Sequence, residues 1–150
     1  MTSGMNEDIE RQLKMLSMQV RELVSVYHTV ANRSGISDNE FWVWYALLYV
    51  EGNLSQQDIC DKWSLPKQTV NTIIANMTKS GFVSLEQLPG FRNRKNICLS
   101  ESGRKYGENI VRQIYEAERN TLSRLSEQER QTCTRLMEKY IALLKEEIHE

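Results

Sequence analysis

Two sets of side chains in this chain have the types and spacing to recognise another molecule. The first is Lys67, Gln68, Thr69, Asn71, Thr72 and Asn76. Amides pair with adenine edges, hydroxyls with bases or phosphates, and lysine with guanine or phosphate. No Asp or Glu occurs between Lys62 and Leu85 to repel a polyanion. The second set is Arg92, Arg94 and Lys95, three cations close to Gly90. Ser55 and Gln56 join them as candidates: they open a short predicted helix, for which Ser55 and Asp58 also offer a cap, and a helix N-terminus attracts phosphate. Either set alone also fits an ordinary solvated surface. Together, at this spacing, they point to double-stranded DNA.

These groups need a scaffold, and the local sequence predicts one. Residues 55–63 read as a short helix, Ser64-Leu65-Pro66 as a tight turn, and residues 67–80 as a second helix closed by Gly81. Pro66 lacks an N–H and is tolerated in a first helical turn. Val70, Ile73, Ile74 and Met77 recur at three- and four-residue spacing, so one face of that helix is apolar and the recognition set lies mostly opposite. Residues 82–87 and 96–99 alternate like strands, and the basic turn 88–95 joins them. Helix, turn, helix and basic hairpin form the order of a winged helix-turn-helix, in which the second helix enters the major groove.

Long helices flank this segment. Ile9, Leu13, Leu16, Val20, Leu23, Tyr27 and Val30 step by four and three, a heptad-like stripe that ends at residues 32–35; residues 1–6 are expected to be loose. Ser37 with Glu40 has capping-box form and opens a helix rich in Phe41, Trp42, Trp44 and Tyr45, apolar nearly all round and expected to be the central buried one. Residues 53–54 are a candidate extra strand beside the wing. A helix over about 101–121 places Tyr106, Ile110, Val111, Ile114 and Tyr115 on one side. After a second capping box at Ser126 and Glu129, the last helix is expected to bury Cys133, Leu136, Met137, Tyr140, Ile141, Leu144 and Ile148. Apolar stripes at both ends with no domain of their own to cover imply homodimerisation through the termini. The expected organisation is one subunit: residues 1–36 and 101–150 are dimerisation helices, and residues 37–100 the DNA-binding lobe. The fold class is mainly α, with a small β-hairpin wing.

Composition narrows the function. Net charge is −1, yet residues 55–100 hold 6 basic groups (Lys62, Lys67, Lys79, Arg92, Arg94, Lys95) against 3 acidic ones (Asp58, Asp61, Glu86). Acidic groups outnumber basic ones on both sides of that segment, so positive charge collects where phosphates would lie. Cys60, Cys98 and Cys133 form no C-x-x-C, and neither His28 nor His149 lies at ligand spacing from them; no metal or cofactor is expected. No signal peptide or apolar run approaching 18 residues is present, so the expected location is the cytoplasm, without membrane contact. With two histidines and no nucleophile-plus-base, phosphate-loop or paired-carboxylate pattern, an enzyme is disfavoured and no catalytic residue is assigned. A winged module that binds protein instead of DNA is the alternative.

Residues 41–100 resemble the MarR (multiple antibiotic resistance regulator) family of bacterial repressors. Phe41, Val43, Ala46 and Leu47, then Leu54-Ser55-Gln56 with Asp58-Ile59, and Leu65 carry the likeness. So do Thr69-Val70, Ile73-Ile74, Met77, Gly81, Val83, Pro89 and Leu99-Ser100-Glu101-Ser102-Gly103. The resemblance implies a triangular homodimer on a pseudo-palindromic operator, with repression relieved by a small ligand or an oxidant. Three positions depart from the pattern. Asn71-Thr72 stand where the family has a basic residue, and Phe91 stands where its wing has an Asp beside Arg. No Cys precedes Cys60, so the family's N-terminal peroxide sensor does not transfer. For the switch, the candidates are a pocket walled by Tyr27, His28, Trp44 and Tyr45, and oxidation of Cys60 in the helix before the reading helix.

Overall fold

The computed structural model describes residues 2–149. Its elements are α1 (Thr2–Arg33), α2 (Asp38–Tyr49), α3 (Gln56–Trp63), α4 (Lys67–Lys79), β1 (Val83–Gln87), β2 (Lys95–Leu99), α5 (Glu101–Ser123) and α6 (Glu127–Glu147). This is the expected mainly α winged helix-turn-helix, its wing an antiparallel pair in register from Val83 opposite Leu99 to Gln87 opposite Lys95. The chain divides into two compact units between Arg112 and Gln113.

Serine caps set most helix starts. The Ser55 and Ser126 hydroxyls accept from Asp58 N–H and Glu129 N–H, and each carboxylate accepts from the cap residue's own N–H, completing two capping boxes. The Ser37 box is only half made. Its hydroxyl accepts from Glu40 N–H at 3.1 Å, but the Glu40 carboxylate accepts from the Trp44 indole N–H at 3.3 Å instead. Pro66 is the N-cap of α4, one place ahead of the first-turn position expected, at φ −63°. Among residues 2–6, expected to be loose, the backbone is helical, because nothing there stops α1 from extending upstream; Met1 lies outside the described residues.

The core of the first unit centres on α2, whose Phe41, Val43 and Trp44 are fully buried against Ile59, Val70 and Ile74. The extra strand at residues 53–54 does not form. One backbone bond joins Ile97 N–H to Leu54 O at 2.9 Å, and the Asn96 side-chain oxygen accepts from Leu54 N–H. The entry to α5 packs at backbone level. A Cβ at Gly103 would fall 2.1 Å from Phe82 O, and one at Gly107 would fall 2.6 Å from the Trp44 ring.

The outer helices differ. Leu13, Leu16, Val20 and Leu23 of α1 are exposed; burial begins only at its end, with Tyr27 and Val30 half-buried and Ala31 buried. In α6 the residues expected to be buried, Cys133, Leu136, Met137, Tyr140, Ile141, Leu144 and Ile148, are all exposed in the single chain. Among the described residues these stripes stay exposed.

Candidate nucleic-acid interface

The turn between α3 and α4 is made by Ser64, which takes the left-handed conformation (φ 51°), and by Leu65 N–H, which donates to Cys60 O at 3.2 Å. That turn aims α4 so that Val70, Ile74 and Met77 are buried. Lys67, Gln68, Asn71, Thr72 and Asn76 are then exposed together, and Thr69 is half-buried at the edge. Thr72 is partly committed: its hydroxyl donates to Gln68 O at 3.0 Å, leaving its lone pairs and methyl for a partner. Among the described residues the amides of Gln68, Asn71 and Asn76 and the ammonium of Lys67 are exposed on this face as donors for a partner.

The wing places its cations on a shaped turn. Phe91 N–H donates to Leu88 O at 3.2 Å across Pro89-Gly90, with Gly90 at φ 82°, the left-handed value that a type II turn requires at its third residue. Arg92, Arg94 and Lys95 are all exposed. The Arg94 guanidinium carbon lies 5.7 Å over the centre of the Phe91 ring, within cation–π range. Residue types alone did not reveal this contact, although an apolar ring among three cations was a usable signal.

Asp58 links the wing to α3. Its carboxyl is lowered below its ordinary value chiefly by the Ser55 backbone hydrogen bond, with burial opposing, and further by the Ser55 hydroxyl and the charges of Arg94 and Lys62.

Three assignments made from the sequence change. Ser55 is 3% exposed and its hydroxyl is spent on Asp58, so it is a structural cap and its side chain cannot reach a phosphate. Gln56, half-buried at the first position of α3, keeps its place at that helix end. The proposed pocket walls do not converge. A cleft of about 220 Å³ is lined by Leu23, Val24, Tyr27, Asp38, Phe41 and Trp42. His28 instead pairs with Asp38 through Nδ1 at 2.8 Å. Trp44 packs on Phe82 and Tyr106, and Tyr45 on Trp63 and Tyr49. Burial pushes the Cys60 thiol up and Asp61 adds to the rise, so the thiolate that oxidants attack is disfavoured. The indole nitrogen of Trp63, stacked 5.6 Å from Trp42, is buried without a hydrogen-bond partner; the sequence had not marked it.

Among the described residues no group of three or more His, Cys, Asp or Glu is placed to hold a metal ion, and no helix is long and apolar enough to cross a membrane.

Residues 34–90 match a sequence model described as MarR family. Comparison with curated proteins gives no significant match. Among solved structures, the chain is similar to NMB1585, a MarR family regulator from Neisseria meningitidis, at 22% identity, covering 93% of this chain and 97% of that one with a TM-score of 0.79. It is similar to the transcription regulator MarR from Oenococcus oeni at 12% identity, covering 86% and 97%, with a TM-score of 0.67. It is also similar to MepR of S. aureus in a MepR–DNA complex at 22% identity, covering 87% and 96%, with a TM-score of 0.61. At these identities the likeness is one of fold.

Proposed function

We propose that the chain, whose residues 34–90 match a model described as MarR family, is a sequence-reading, DNA-binding transcriptional regulator, a homodimeric repressor released by a small ligand. The observation that carries this reading is the exposed, acid-free face of α4 beside a wing bearing Arg92, Arg94 and Lys95. Lys67, Gln68, Thr69, Asn71, Thr72 and Asn76 meet the major groove, the wing cations hold the backbone or minor groove, and Gln56 adds a contact at the start of α3. MepR, which shares this fold, has a structure on DNA. Residues 37–100 form the DNA-binding lobe, and residues 1–36 and 101–150 pair two copies through the bare stripes of α1 and α6. Two lobes then address a pseudo-palindromic operator. The raised Cys60 thiol weighs against oxidation at that residue as the release signal. No catalytic role, metal, cofactor or membrane contact enters this reading, and the cytoplasm is its setting.

Fluorescence anisotropy against the duplex upstream of the protein's own gene, and against a scrambled duplex, tests it. Asn71→Ala is expected to cost about 1–3 kcal/mol on the specific duplex alone. Arg94→Ala is expected to weaken both duplexes and lower the salt slope by about one. No binding to either duplex by the parent protein would leave the fold as a protein-interaction module.

A further inference from the structure

Arg94 is the wing cation with a built seat. Phe91 is exposed at 53%, an unusual place for a phenyl ring, and the backbone beneath it is clamped. Its N–H donates to Leu88 O, the Gln87 side-chain amide donates to Phe91 O and, at 3.3 Å, to Arg92 O, and Leu88 N–H donates to Arg94 O at 3.2 Å. Ring and guanidinium thus stand on two fixed points of one turn. The 5.7 Å separation is within cation–π range. Arg92 and Lys95 make no such ring contact among the described residues.

We propose that Phe91 is a positioning residue for Arg94: its ring holds the guanidinium over the wing turn, in the pose that meets DNA. A guanidinium held over a ring face spends none of its N–H donors on that contact and keeps them for phosphate or base edges, and a side chain already ordered loses less freedom on binding. The strand that follows Arg94 is tied to the residue before α3's cap, Ile97 N–H donating to Leu54 O at 2.9 Å, so the wing is joined to the helix-turn-helix. This inference rests on the reading of the wing as a DNA contact.

A double-mutant cycle with Phe91→Leu and Arg94→Ala, read by anisotropy on the specific duplex, tests it. Phe91→Leu is expected to weaken binding about threefold to fivefold at unchanged salt slope, the size of an exposed cation–π contact. Phe91→Tyr, which keeps the ring, is expected to stay within about twofold of the parent. In the Arg94→Ala background Phe91→Leu is expected to do nothing further. In the DNA-free protein, the Arg94 side-chain protons should show ring-current shifts in the NMR spectrum that vanish in Phe91→Leu. Equal losses from Phe91→Leu in both backgrounds would mean that the ring itself touches DNA, which overturns the proposal. So would an unaffected Phe91→Leu beside a weakened Arg94→Ala, or the absence of the ring-current shift. If Arg94→Ala itself binds like the parent, the wing reading fails and takes this inference with it.

Discussion

α4 and α6 are written in the same code and meet opposite fates. Each carries apolar residues at three- and four-residue spacing with polar residues opposite. In α4 the stripe disappears into the core: Val70 is 0% exposed and Ile74 1%. In α6 the stripe stays bare: Leu136 is 50% exposed and Ile141 46%. Periodicity therefore states that a face has to be covered, not by what. The opposite faces complete the contrast. The polar side of α4 offers amides, a hydroxyl and lysine, while that of α6 mixes charges of both signs. On this view α4 turns its polar side to a partner and its apolar side to its own chain, and α6 does the reverse. Large bare apolar stripes of this kind mark association surfaces.

The hardest test of that contrast is to put charge on the bare stripe. Leu136→Glu with Ile141→Glu is expected to convert a dimer into a monomer in analytical ultracentrifugation at micromolar concentration. It should also lower operator affinity by about two orders of magnitude or more through lost bivalency. The helix itself should survive, since the Ser126–Glu129 box that starts it is untouched. A double variant that sediments as a dimer would place the interface elsewhere. Next in size is Ile74→Ala on the covered stripe, expected to cost about 2–5 kcal/mol in denaturant unfolding. A cost well below that range would show that α4 is less firmly seated than its burial implies. Smallest is Asp58→Asn, which leaves the α3 stripe alone and weakens only its cap, at about 1 kcal/mol. Because the Asp58 carboxyl is lowered in the folded chain, its stabilisation is present above the ordinary value of 3.8 and is lost as pH falls through the lower folded value. The gap between parent and Asp58→Asn in thermal melts should therefore close in acid; a gap that stays constant with pH would mean that the amide's geometry, not the charge, is at fault.

Much of the architecture was legible because it repeats. The stripe of α4, the Ser126 box and the Pro89-Gly90 turn are local patterns, and each formed where it was expected. The cleft was misread for a geometric reason. Trp44 and Tyr45 lie on different sides of α2: Trp44 faces Phe82 and Tyr45 faces Trp63. Trp42, three residues before Tyr45, is the neighbour that turns toward Tyr27. Ser55 had two readings, a cap with Asp58 and a phosphate contact, which share one sequence signature; burial decides for the cap. Phe91 was legible as a departure but not as a contact, since a turn's side-chain directions depend on dihedral angles that composition does not report.

The glycines at the start of α5 bear on how a signal would travel. Gly103 lies against the backbone of Phe82, and the Ser100 hydroxyl donates to Gly81 O at 2.7 Å while accepting from Gly103 N–H at 3.0 Å. With no side chain to act as a cushion, this joint has no slack. The root of the hairpin and the opening turn of α5 meet backbone to backbone, so a displacement of one has to carry the other with it.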